Sequence, residues 1–139
     1  LNGRLDTLQA GVLLSKMRIF ANEVKLRDQV AKRYDELFKD ANCTTPFIAN
    51  GNTSVYAQYT LQVDNRAGLI EHLNANGIPT AVHYPIPLHK QPIFTKDYQG
   101  QDLSISERIA SRVISLPMHP YLDEKTQDTI VDAVKKFLN

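Results

Sequence analysis

Two short stretches hold the side chains best placed to meet a ligand. At the N-terminus, Asn2 and Arg4 stand two residues apart, just before a helical pattern begins. Asn2 can donate to phosphate oxygens, and the planar guanidinium of Arg4 can grip a carboxylate or phosphate through a paired fork. The helix start adds free backbone N–H groups and a favourable dipole. The same residues also read as a plain helix N-terminus, with Asp6 as N-cap and Arg4 in water. In the middle of the chain, residues 78–94, IPTAVHYPIPLHKQPIF, hold four of the seven prolines and two of the four histidines. Proline fixes φ, removes a donor and pushes the preceding residue towards extended backbone. Thr80, Ala81 and Val82 therefore suit a short strand that Pro85 and Pro87 bring to a stop, leaving His83 and Tyr84 at its end on a stiff backbone. Loops on a rigid scaffold are where binding groups concentrate. The alternative is that both rings simply plug a crevice, as half-buried His and Tyr often do.

Other chemistries find less support. His83, His89 and His119 are separated by irregular loop, without the close-paired spacing of helical or ribbon zinc motifs and without a nearby acidic or cysteine partner. Nothing resembles a nucleophile elbow, and there is no glycine-rich phosphate loop. Lys16, Lys25, Lys32, Lys39, Lys125, Lys135 and Lys136 lie on helical stretches and Lys90 and Lys96 in loops, none in the apolar setting that Schiff-base chemistry requires. The single cysteine, Cys43, excludes an internal disulfide and sits in the turn-like run Asn42-Cys43-Thr44-Thr45-Pro46, where it reads as incidental.

The elements that must position these residues follow from periodicity. Residues 5–40 are helical, with Leu5, Leu8 and Val12, then Phe20, Val24, Ala31, Tyr34 and Phe38, on one face. A phase slip near residues 18–22, with Asn22 as a second N-cap, predicts two helices or one bent helix, and Gly11 predicts a close contact there. Pro46 to Ala49 suits a short strand. Val55, Ala57, Tyr59, Leu61 and Val63 alternate with polar residues, the pattern of a strand buried on one face. Asp64 or Asn65 can cap a helix carrying Leu69, Ile70 and Leu73, with Gly77 past its end. The strand into His83 completes a strand–helix–strand unit. Ser104 and Glu107 form a capping-box pair ahead of Ile105, Ile109, Ala110 and Val113; Ile114 to Pro117 is extended; Asp123 caps a last helix with Ile130, Val131, Val134, Phe137 and Leu138 on one stripe. The predicted class is α+β, a small antiparallel sheet of about three short strands backed by helices. Residues 1–40 form a helical segment and 41–139 an α+β body.

Composition narrows the function. The 139 residues are 42% hydrophobic and 22% charged, as in a globular domain with a real core. A formal net charge of +1, with no basic cluster interleaved with aromatics, gives no reason to invoke nucleic acid. No leader and no bilayer-spanning apolar run are present, so the cytoplasm is the expected compartment. A start at Leu1 directly before a helix suggests a domain cut from a longer polypeptide, and a processed or trimmed chain would look the same.

The segments LNGRLDTLQAGVLLSKM, TAVHYPIPLHKQPIF and VISLPMHPYL, in this order and spacing, resemble the C-terminal part of a DegT/StrS-type nucleotide-sugar aminotransferase. These are pyridoxal-phosphate enzymes of fold type I. The similarity covers essentially the whole chain and is nearest to the subgroup acting on UDP-linked 2-acetamido-3-keto-hexuronic acids in surface-polysaccharide synthesis. The resemblance implies a homodimer with shared active sites, a keto-sugar nucleotide as substrate and an amino donor such as glutamate. It implies that Asn2 reaches the phosphate of the neighbouring subunit's cofactor, that Arg4 meets the sugar carboxylate, and that His83 and Tyr84 line the substrate pocket, with His89 nearby at most. Two departures stand out: the glycine that usually precedes Leu1 is missing, and Gly11 replaces a common alanine. The large domain with the Schiff-base lysine is also missing, so the sequence resembles half an active site and on its own is expected to be inactive. A stand-alone α+β module binding a nucleotide sugar or a protein partner without chemistry is the alternative.

Overall fold

The computed structural model describes residues 3–94, 96, 98 and 100–139. Helix α1 spans Thr7–Leu37 without interruption. Its N-cap is Asp6, whose Oδ1 accepts from the Leu8 N–H at 2.7 Å. At 31 residues α1 is about 45 Å long. The expected second start at Asn22 does not occur, because Asn22 lies inside the helix. Only the C-terminal part of α1 is packed: Val30, Ala31 and Tyr34, followed by Phe38, are buried. The first half stands clear of the body, with Leu8 83% exposed and Val12, Leu14, Met17 and Phe20 also open. Gly11 accordingly meets nothing within 4 Å, and the close contact expected there is absent among the described residues.

The body is a two-stranded antiparallel sheet, β1 (Tyr59–Gln62) and β2 (Val113–Leu116), with Tyr59 opposite Leu116 and Gln62 opposite Val113. Single bridges extend it on each side, Thr44 to Gln62 and Ala81 to Ser115. Helices α2 (Arg66–Ala75), α3 (Ser104–Arg112) and α4 (Glu124–Leu138) complete it. The core joins Tyr34 of α1 and Phe38 just past its end, Tyr59 and Leu61 of β1, Leu69 and Leu73 of α2, Ile114 of β2, and Ile130, Val131 and Val134 of α4.

The strands are shorter than the alternation predicts. At Tyr56 φ is +43°, which breaks the extended run and turns the Tyr56 ring, not Val55 or Ala57, into the core. Arg27 holds this bend by donating from Nη1 to the Tyr56 carbonyl at 3.0 Å. Pro46 to Ala49 is irregular, and the expected 80–82 strand contracts to the bridge at Ala81. Proline cannot donate to a ladder, and Pro46 and Pro79 adjoin these two failures.

Helix ends agree better with expectation. Asn65 accepts from the Gly68 N–H at 3.1 Å, Asp123 accepts from the Thr126 N–H at 2.9 Å, and Gly77 past α2 has φ +72°. The capping box at α3 does not form. Ser104 is the first helical residue, its N–H donates to Asp102 Oδ1 at 3.0 Å, and Glu107 turns elsewhere. On α3, Ala110 is buried and Val113 beyond it, but Ile105 and Ile109 are exposed. A polar residue enters the core instead: Gln127 of α4, 1% exposed, donates from Nε2 to the Val30 carbonyl at 2.7 Å.

Candidate functional site

His83 and Tyr84 sit where the bridge at Ala81 ends, and both are exposed. Their rings meet edge to face, with centroids 5.7 Å apart and planes 77° apart, and the peptide between them is cis. They line an open groove of about 930 Å³. Its floor and walls are mainly apolar: Ile86 and Leu88 from the proline loop, Phe94, and Ile109 and Ala110 from α3. An exposed aromatic and imidazole pair lining an apolar groove can stack on a planar or sugar ring and offer hydrogen bonds to its polar edge.

The loop is shaped by its own sequence. Pro87, at φ −59°, precedes a single 3₁₀ turn, Leu88–Lys90, closed by N–H donation from Lys90 to Pro87 and from Gln91 to Leu88. That turn brings His89 and Lys90 to Glu107 on α3. His89 Nε2 lies 3.0 Å from Glu107 Oε1, and Lys90 Nζ lies 2.6 Å from Oε2. A carboxylate can only accept, so His89 presents its Nε2–H here. The imidazole also meets the Tyr98 ring, centroids 5.1 Å apart. The hydrogen bond from Lys90, then that from His89, holds the Glu107 carboxyl below its usual acidity range, so it is an anion at neutral pH.

Thus His89, expected to lie nearby at most, lines the same groove as His83 and Tyr84. Glu107 does not itself line the groove, but it holds two residues of the loop beside it, a role the sequence did not suggest. It stands 18 residues from His89, and its place three residues after Ser104 fitted a capping role equally well. Arg4 is exposed ahead of α1 and does not line the groove, so one chain alone does not bring it to His83 and Tyr84. Asn2 lies outside the described residues.

Among the described residues no three His, Cys, Asp or Glu side chains converge as metal ligands. No helix is long and apolar enough to cross a membrane. Cys43 is half-buried, and burial pushes its thiol pKa up, the opposite of an activated nucleophile. The lysines Lys32, Lys39 and Lys90 are exposed and paired with Asp28, Glu36 and Glu107, and Lys16, Lys25, Lys96, Lys125 and Lys136 are exposed too. Pyridoxal phosphate requires a lysine amine kept partly neutral in a dry site. Lys135 is part-exposed, and no lysine among the described residues lines the groove, so the residues present do not by themselves fit that group.

Comparison with known proteins places this architecture. The family model of the DegT/DnrJ/EryC1/StrS aminotransferases matches residues 1–135. The UDP-2-acetamido-2-deoxy-3-oxo-D-glucuronate aminotransferase of Pseudomonas aeruginosa is 52% identical over 122 residues, 88% of this chain and 33% of that protein. The crystal structure of a DegT/DnrJ/EryC1/StrS aminotransferase from Brucella abortus superposes with a TM-score of 0.91 at 44% identity, covering 98% of this chain and 36% of that one. NtdA from Bacillus subtilis, solved with bound cofactor PMP, superposes with a TM-score of 0.84 at 27% identity over 99% of this chain and 33% of its own. The chain spans about a third of the length of the curated relatives it matches. The family is pyridoxal-phosphate-dependent, and the α+β body described above has the fold of these enzymes' C-terminal domain. With the family match running through nearly every residue and the fold agreeing along the whole chain, this protein belongs to the DegT/DnrJ/EryC1/StrS aminotransferase family.

Proposed function

We propose that this chain serves as the small C-terminal domain, residues 1–139, of a longer pyridoxal-phosphate-dependent aminotransferase. The parent enzyme moves an amino group from glutamate onto a UDP-linked 2-acetamido-3-keto-hexuronic acid, a building block of surface polysaccharide. The 52% identity to the Pseudomonas aeruginosa enzyme of that substrate class carries this reading. The enzyme works in the cytoplasm as a homodimer with shared active sites. His83 and Tyr84 contact the sugar nucleotide at the groove, Arg4 grips the uronate carboxylate, and Asn2 donates to the phosphate of the partner's cofactor. The lysine that carries the cofactor comes from the rest of the parent chain, so this chain alone does not transaminate.

The test is a comparison of two substrates in the full-length enzyme. Arg4→Lys keeps the charge and loses the paired fork. A charge-assisted hydrogen bond contributes about 1.5–3 kcal/mol, so roughly ten- to a hundredfold in affinity should be lost for the 3-keto-hexuronate. The uncharged 3-keto-hexose analogue should lose little. An equal loss for both substrates would assign Arg4 to phosphate or to structure instead.

A further inference from the structure

We infer that Glu107 is a positioning residue, gripping His89 and Lys90 together and so fixing the proline turn that presents His83 and Tyr84 at the groove. The inference rests on the reading of His83 and Tyr84 as ligand contacts. The two oxygens of one carboxylate divide between two neighbouring residues of the turn, His89 at 3.0 Å and Lys90 at 2.6 Å. An exposed ion pair alone would hold little. Here, however, the His89 side chain is only 11% exposed and packs on the Tyr98 ring, so its Nε2–H has left most of its water. Removing Glu107 would leave that part-buried donor without its carboxylate, which is costlier than losing a fully exposed pair.

The grip has a path back to the ligand contacts. Only residues 85–88 separate Tyr84 from His89, and two of these four, Pro85 and Pro87, have a fixed φ. A turn anchored at His89 and Lys90 therefore leaves few soft dihedrals with which His83 and Tyr84 can wander. On its other side, Glu107 belongs to α3, which runs directly into β2, the strand that bridges to Ala81 just before His83. The proline loop is thus held at both ends by one continuous piece of chain, Ser104 to Leu116. Glu107 provides the distal hold.

Two readouts on the full-length protein test this. Hydrogen exchange reads the turn itself, since the Lys90 and Gln91 amides donate to Pro87 and Leu88 only while it is formed. Glu107→Ala should speed exchange at these amides at least tenfold and leave the α4 amides unchanged. Glu107→Gln, which keeps an acceptor, should fall between alanine and wild type; it also stands in should the alanine variant misfold. Calorimetric titration with UDP-2-acetamido-2-deoxy-D-glucuronate, the unoxidised analogue, should show binding weakened about fivefold or more by alanine and partly restored by glutamine. Unchanged exchange at Lys90 and Gln91 overturns the grip whatever the ligand. Faster exchange with unchanged affinity overturns the positioning role. If wild-type protein fails to bind the analogue, the substrate proposed above is wrong, while the exchange data still decide for or against the grip.

Discussion

Tyr59, fully buried in β1, donates its phenolic hydrogen to Asp35 of α1 with an O···O distance of 2.6 Å. Beside it the Tyr34 ring lies 4.7 Å from that of Tyr59, centroid to centroid, and the Tyr34 hydroxyl donates to the Pro117 carbonyl at 3.0 Å. Together these contacts pin the long helix to β1 and to the residue that follows β2. Burial pushes both phenols' pKa well above the usual tyrosine range, and for Tyr59 the bond to Asp35 adds to this, so both remain donors. Tyr59→Phe leaves the Asp35 carboxylate without that donor and should destabilise the chain by about 1–3 kcal/mol. Asp35→Asn keeps an acceptor and removes a partly desolvated charge, so its effect should be smaller. Urea unfolding of the two variants checks the order, and the reverse order would show that the charge itself stabilises.

Stability should respond to acid with opposite signs at two aspartates. Desolvation raises the Asp35 pKa in the folded chain, more than the Tyr59 bond lowers it. Its favourable contribution is therefore complete below the unfolded pKa and is lost as pH rises through the raised folded value. The Thr126 backbone and hydroxyl bonds lower the Asp123 pKa, so its contribution is present above the unfolded pKa and lost as pH falls through the folded value. Urea midpoints measured from about pH 3 to about pH 7 should show Asp35→Asn gaining on wild type with rising pH, just above the ordinary aspartate range. Asp123→Asn should instead lose its deficit towards the acid end. An Asp35→Asn curve parallel to wild type would rule out the shift.

His83→Ala and Tyr84→Phe should separate function from folding. Tyr84 is 73% exposed and His83 is exposed as well, so each change should move unfolding stability by only about 0.5 kcal/mol. In the full-length enzyme each should lower kcat/KM for the keto-sugar nucleotide by roughly tenfold or more, the loss of about one charge-assisted contact. Full activity in both variants would remove these residues from the substrate pocket.

Two glycine substitutions should act in opposite directions although neither added Cβ meets an atom within 4 Å. Gly77 has φ +72°, so Gly77→Ala should cost about 1–2 kcal/mol from backbone conformation alone. Gly11 is helical and open, so Gly11→Ala should stabilise α1 by up to about 1 kcal/mol. Circular dichroism melts of the two variants read both effects.

Much of this was legible in local pattern. Asp6, Asn65 and Asp123 declare three helix starts because a cap needs only its own side chain and an N–H two or three residues on. Gly77 declares a stop for an equally local reason. Leu61, Leu69, Val131 and Val134 show themselves as core through spacing, since burial on one face imposes the period of the element. His83 and Tyr84 stood out because the prolines beside them restrict the backbone without help from the rest of the fold.

The sequence by itself therefore determined where helices form, the caps at Asp6, Asn65 and Asp123, the antiparallel pairing class and, through the resemblance of three segments, the family, but neither the unbroken run of α1 nor the start of α3. Tertiary structure alone decided where regularity gives way and which distant side chains meet. Tyr56 leaves the strand pattern because Arg27, 29 residues away, holds its carbonyl in a bend. Gln127 is core because the Val30 carbonyl, 97 residues away, supplies an acceptor that an apolar stripe does not foretell. Glu107 anchors the proline loop instead of capping α3 because His89 and Lys90 arrive from a separate turn. In each case the deciding partner lies far away in sequence. Hydrogen-bond satisfaction of a polar group is a property of three-dimensional neighbours, and no window of neighbouring residues contains it.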